Sequence, residues 1–260
     1  MQRHSVMTSD GAIHIIVDTG TQSSYNGGSQ TGTLQLYSSA NNGGSWVNTN
    51  TLVGTQTLNT TNNTVSTDDV ALRTDGAGNQ YLDIAYDTEA GGNALMFTEL
   101  RYRPGLSLAK RWTTSTLASY PLTINSSSST IYQEPAFAQD QDGNLWLADL
   151  EMNSSISQGG IAVYQRKNGT WGSVSVDITG NTTPPNPGPS PSLISLQGTN
   201  AFAHAPRPVF VQPNINNFLF GTIGLIFQGA APNSTTLDCL YWTTITGDPA
   251  SGASTTPPWS

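Results

Sequence analysis

Eight residues stand out by chemical type and by where they fall: Glu134, Asp69, Tyr132 and His4, with Arg207, Asp18, Asp87 and Glu151. Carboxyl groups gathered in a partly desolvated hollow take different protonation states, so one serves as acid and another as base or nucleophile. The same oxygens can hold Ca2+. Arg207 has the fork geometry to clamp a substrate carboxylate through two parallel hydrogen bonds. His4 can exchange a proton near neutrality, and Tyr132, two before Glu134, can supply a phenol or a ring for sugar stacking. The set draws notice because charge is scarce: only 10% of the 260 residues are charged. Two of the chain's four Glu belong to it.

Those residues meet only if the elements that carry them bring them together, and the chain repeats. Ser9-Asp10-Gly11 leads into a β-rich run ending at Asp18. Asp75-Gly76-Ala77-Gly78-Asn79 leads into another ending at Asp87, and Asp142-Gly143-Asn144 into a third ending at Glu151. A looser copy runs from Asn214-Ile215-Asn216-Asn217 to Gln228. Each unit has an earlier strand before its turn (5–7, 70–72, 135–138, 208–211) and a later one (34–37, 94–97, 161–164, 237–242). A turn and a Trp then follow in some form: Ser39 to Trp46, Trp112 without the glycines, and Lys167-Asn168-Gly169-Thr170-Trp171. The period is roughly 65 to 70 residues, so each unit has room for several strands and long loops.

Four-stranded units in tandem with no helical period predict an all-β chain, a β-propeller of four-stranded antiparallel blades. About four blades are visible, at roughly 4–58, 66–118, 131–180 and 201–248 of a single domain spanning 1–260. A β-sandwich of short strands is the competing architecture. The Pro-rich stretch 184–191 reads as an extended connection between the third and fourth units, with a domain boundary as the alternative.

In a propeller the first strand of a blade crosses from one face to the other, the turn reverses it, and the second strand returns. The start of strand one and the end of strand two therefore share one mouth of the central channel. His4, Asp69, Glu134 and Arg207 lie just before the first strands, and Asp18, Asp87, Glu151 and Gln228 end the second. The pattern thus collects much of the rare charge at one mouth.

Ser39-Ala40-Asn41-Asn42-Gly43-Gly44-Ser45-Trp46 resembles the Asp box of sialidase-like (BNR-repeat) propellers, Ser-x-Asp-x-Gly-x-Thr-Trp. Ser39, Gly43 and Trp46 match, Ser45 stands for Thr, and Asn41 replaces Asp. The resemblance implies a structural hairpin between the two outer strands, away from the active site, with Trp46 packed between strands. It also implies a carbohydrate-active site holding an arginine triad, a Tyr–Glu nucleophile pair and an Asp acid. Of the arginines only Arg207 falls in a first-strand register, with Arg3 to flank it, and the early Arg-Ile-Pro motif is absent. That weighs against sialidase activity from this chain alone. The start at His4 is also similar to polysaccharide-lyase propellers, in which His and Tyr near the channel move protons. Propellers of the sialidase-like family usually close with six or more blades. Four visible units therefore imply a truncated chain of a six- or seven-bladed ring, or blades too weak to read.

The first expectation is glycoside hydrolysis on extracellular glycans or polysaccharide at the carboxylate-rich mouth. A glycan-binding or adhesion propeller is the second, with Tyr25, Tyr120, Tyr132 and Trp259 as platforms; a structural propeller within a larger secreted protein is the third, and a lyase the fourth. Other partners are disfavoured. The net charge of −8 leaves no basic patch for nucleic acid, and there is no Lys/Arg run for an anionic membrane. No apolar run approaches the ~20 residues that span a bilayer. The three His lack metal-ligand spacing, so Ca2+ at the mouth is the one cofactor the pattern allows. The glycine pairs sit in hairpin turns with no helix after them, which excludes a dinucleotide site. His14 alternates within a strand and reads as structural. Cys239, the only cysteine, reads as an inert buried thiol. A surface of Ser, Thr, Asn, Gln and Gly places the protein outside the cell or at its surface.

Overall fold

The structure is a computed structural model. It describes residues 4–18, 30–58, 68–88, 94–114, 120–127, 130–139, 144–153, 158–167, 169–174, 194–195, 209–211, 223–229 and 239–245. The backbone divides into two compact units, Gln2–Ser128 and Ser129–Ser260. Each unit carries two antiparallel sheets made of consecutive strands, the blades of a β-propeller. Among the described residues the one helix is the 3-10 turn Leu108–Lys110, so none is long and apolar enough to cross a membrane.

In the first unit the first sheet runs β1 (Ser5–Met7), β2 (Ile13–Asp18), β3 (Gln30–Ser39), β4 (Val47–Leu58). The second runs β5 (Asp68–Thr74), β6 (Gln80–Thr88), β7 (Ala94–Tyr102), β8 (Trp112–Thr114), and β9 (Leu122–Ser126) also pairs with β7. Period-two alternation sets the faces. Ile16, Leu34 and Leu36 of the first sheet pack with Val70, Leu82, Ile84, Tyr86, Leu100, Tyr102 and Trp112 of the second in one buried core.

In the second unit one sheet runs β10 (Thr130–Gln139), β11 (Leu145–Asn153), β12 (Gln158–Lys167), β13 (Thr170–Val174), with β14 (Ile194–Ser195) also on β12. The other has three described strands, β15 (Val209–Val211), β16 (Ile223–Gly229) and β17 (Cys239–Ile245). Cys239 pairs with Gly229 inside this sheet.

The outer strand of two sheets comes in two pieces, which the repeat pattern does not reveal. β8 pairs with residues 100–102 of β7 and β9 with residues 94–97. Likewise β13 pairs with residues 163–167 of β12 and β14 with residues 160–161. The Pro-rich stretch 184–191 lies outside the described residues; β14, which follows it, pairs with β12 of the third sheet.

The Ser39–Trp46 turn is organised by the Asn41 amide. Asn41 Oδ1 accepts from the Ser45 N–H at 2.9 Å and from the Ser39 hydroxyl at 2.9 Å. Asn41 Nδ2 donates to Ser45 Oγ at 3.0 Å, and Gly43 N donates to Ser39 Oγ at 2.9 Å. Asn42 and Gly43 both take positive φ, 57° and 85°, the conformation for which Asn and Gly are suited. Trp46 departs from expectation. It is 39% exposed and lies over the turn, where a methyl at Gly43 would meet its Cζ2 at 3.6 Å. Trp112, after the corresponding turn of the second sheet, is the one that packs inward, at 3%. Asn41→Ala should cost about 1 kcal/mol in denaturant unfolding, since the turn loses its central acceptor. Asn41→Asp should unfold at nearly the native midpoint, because Ser45 can turn its hydroxyl to donate. An Asp variant as weak as the Ala variant would show that the amide's donor is what the turn needs.

Candidate functional site

The second sheet gathers carboxylates on the face opposite its apolar core. Asp69 pairs with Ala85, Asp83 with both Ala71 and Glu99, and Asp87 with Leu95. Asp69, Asp83, Asp87 and Glu99 therefore share one face, and all four are buried. Asp69 and Asp87 are diagonal neighbours at one end of that face, the end the repeat pattern assigns to the channel mouth. Such diagonals are roughly 7–8 Å apart.

Deeper on the same face, Asp83 and Glu99 stand directly opposite each other, an arrangement that destabilises a sheet when both are charged. Arg73 resolves it. Its Nε donates to Asp83 Oδ2 at 2.8 Å and an Nη to Glu99 Oε2 at 2.6 Å. The guanidinium also lies 4.5 Å from the centre of the Tyr81 ring. Burial works against its charge, but Asp83 and Glu99 outweigh that and push its pKa upward. The Tyr120 hydroxyl reaches Glu99 Oε1 at 3.3 Å. These partners hold Tyr120 against the sheet.

In the third sheet Tyr132 is set directly opposite Glu151. The ladder runs in register through Gln133 and Leu150, then resumes at Ala136 and Ala148. Glu134 and Pro135 thus form a bulge opposite Asp149, which is itself buried. Bulges re-aim side chains and recur beside active sites. Pro135 suits this one because it has no N–H to leave unpaired. The structure pairs Tyr132 with Glu151, whereas adjacency in sequence points to Glu134.

Tyr132 is 2% exposed, so it is not an open sugar platform. Tyr25 and Trp259 lie outside the described residues, and among the described residues Trp46 is an exposed aromatic where a packed one was expected. His4 is exposed, and its carbonyl accepts from Ile16 N at 3.0 Å. Asp18 ends β2 opposite Leu34, and for Asp18, Glu134 and Glu151 the backbone register alone is described. Arg207 lies outside the described residues. Among the described residues no group of three or more His, Cys, Asp or Glu is arranged to hold a metal ion. Arg73 and Arg111 are bonded to carboxylates, and Arg101 Nη2 donates to Asn79 Oδ1 at 2.8 Å.

No family model matches the chain, and no curated protein matches it by sequence. Among solved structures it is similar to an ulvan lyase, described as a new family of polysaccharide lyase, PL25, bound to -[GlcA(1-4)Rha3S]-. That match has a TM-score of 0.50 at 11% identity and covers 92% of this chain and 51% of the lyase. A Penicillium chrysogenum α-L-arabinanase complexed with arabinobiose matches with a TM-score of 0.49 at 10% identity, over 90% of this chain and 59% of that one. The chain thus spans about half the length of the ulvan lyase, and what it shares with it is the fold.

Proposed function

We propose that the chain is part of an extracellular carbohydrate-active propeller that hydrolyses a glycan or polysaccharide, with chemistry centred on the third sheet. The observation that carries this reading is the pairing of Tyr132 with Glu151 beside the Glu134 bulge. A Tyr–Glu pair is the nucleophile that the sialidase-like resemblance implies. In a glycosidase one carboxyl group protonates the leaving oxygen while a second attacks the anomeric carbon or activates water. Glu151, paired with Tyr132 in the ladder, takes the second role, and Glu134 takes the first.

Arg73, Arg101 and Arg111 are each bonded to Asp, Glu or Asn side chains. Their engagement supports a neutral or differently charged glycan over a sialoside, whose carboxylate calls for an arginine cluster. A lyase is the second reading. It is supported by the likeness to the ulvan lyase and by an exposed His4 that can carry a proton.

The test is release of new sugar ends from sialosides and from neutral and acidic polysaccharides, with ultraviolet absorbance followed for unsaturated products. New reducing ends without absorbance are the expected result. Ends with absorbance would replace hydrolysis by elimination. Saturable binding with no release would replace both by a lectin-like role.

A further inference from the structure

A buried histidine joins the first two sheets. His14 of β2 is 1% exposed. The Trp112 indole N–H, from β8 of the other sheet, donates to His14 Nδ1 at 3.0 Å. An indole nitrogen can only donate, so Nδ1 carries no proton and the proton sits on Nε2. Nε2 then donates to Thr8 Oγ1 at 3.1 Å, and Thr8 donates to Asp10 Oδ1 at 2.6 Å. Ser38 Oγ of β3 also lies 2.7 Å from Nδ1. The chain of bonds ends back on the second sheet. Asp10 Oδ2 accepts from Tyr102 OH at 2.6 Å and from Arg111 Nη1, which also reaches Tyr102 OH at 3.0 Å. The ring sits edge-on to Trp112, with centroids 5.0 Å apart.

We propose that this junction is an acid-operated clasp between the first two blades: protonation of His14 at Nδ1 expels the Trp112 indole and loosens the seam. An imidazolium has N–H groups at both nitrogens, so Nδ1–H would point at the indole N–H. Ser38 can turn its hydroxyl to accept from Nδ1, so the proton has a partner on the histidine's own sheet. Trp112 has none there. The bond that is lost is therefore the one that crosses between sheets.

The charged and titratable groups around the ring are Asp10 on the β1–β2 turn, Tyr102 on β7 and Arg111 before β8. The hydroxyl neighbours are Thr8, just after β1, and Ser38 of β3, and from β8 comes the indole of Trp112. Burial lowers the His14 pKa to about 4, with Asp10 opposing that and Arg111 adding to it. Burial works to raise Asp10, but Thr8, Tyr102, the Ala12 N–H and Arg111 hold it at about 2. The outer link from Asp10 to Tyr102 and Arg111 thus persists where the inner link from His14 to Trp112 breaks. The seam opens on one side and stays tethered on the other.

The experiment follows the Trp112 indole N–H resonance and amide hydrogen exchange of the full chain from pH 7 to pH 3.5, with exchange corrected for intrinsic rates. Native protein should show a one-proton transition near pH 4, with exchange in β1–β2 and β7–β8 rising at least tenfold relative to β12. His14→Gln keeps a donor and an acceptor but does not titrate, so it should abolish the transition. Trp112→Phe, which removes the donor, should abolish the exchange step even if His14→Gln fails to fold. A transition that persists in folded His14→Gln, an exchange step that persists in folded Trp112→Phe, or native exchange that does not change with pH overturns the proposal.

Discussion

Replacing Arg73 with methionine should destabilise the chain by roughly 3–5 kcal/mol, the cost of leaving buried carboxylates without their cation. Asp83 is fully buried and Glu99 nearly so, and each accepts a direct bond from this one guanidinium. Because the two carboxylates oppose each other across β6 and β7, the arginine does more than add a surface ion pair, which would contribute ~0–1 kcal/mol. It makes the pairing of those strands tolerable at that row. Arg73→Lys should recover only part of the loss, since one ammonium cannot reproduce a fork that reaches two carboxylates from two nitrogens. Replacing all three residues together, Arg73→Met with Asp83→Leu and Glu99→Met, should recover most of it, because apolar packing replaces charge without a desolvation cost. Denaturant unfolding reads the effect as a shift in midpoint at constant slope. A native midpoint for Arg73→Met would mean the row is held by other means.

This triad shows where sequence reading stops. The order of strands was legible because turns and alternation are local: Asp75 to Asn79 makes its turn with its own residues, Asp75 Oδ1 accepting from the N–H groups of Ala77 and Asn79 at 2.9 and 2.8 Å. The propeller class followed from repetition of that local signal, and the tight turn between Ser39 and Trp46 from its run of Asn and Gly. Partners that come from another strand were not legible. Arg73 and Glu99 are 26 residues apart, and His14 and Trp112 are 98 apart. One signal was present all the same. Asp83 sits among apolar neighbours in mid-strand, in a chain where charge is rare, and such a residue demands a buried partner. The exposure of Trp46 had no signal, because the same box sequence is compatible with a covered or an open outer strand. At the candidate site the placing of Asp69 and Asp87 at one end of their sheet was readable from strand order. The partner of Tyr132 was not, because a bulge shifts the register by one residue and leaves no mark in the alternation.

Glu134→Gln should lower turnover by about 10²- to 10⁴-fold, the usual contribution of a general acid, on whichever polysaccharide of the panel releases ends. The argument rests on where the bulge falls. Between the pairs Gln133–Leu150 and Ala136–Ala148 the ladder skips, so the backbone at position 134 leaves strict alternation two residues from Tyr132, the partner of Glu151. Proline at 135 fixes φ and removes the donor that would otherwise draw the strand back into register. The variant is nearly isosteric and keeps the bulge, so its unfolding midpoint should stay near native. The pH profile separates a lost acid from a general loss of binding. With Glu134 as the acid, the alkaline limb of kcat/KM should disappear in Glu134→Gln while the acid limb, set by the partner carboxylate, remains. Glu151→Gln should remove the acid limb instead, and Tyr132→Phe should lower kcat with little change in KM. Full turnover in Glu134→Gln, with both limbs intact, would leave the bulge as a device of strand geometry and shift the search for the acid away from the third sheet.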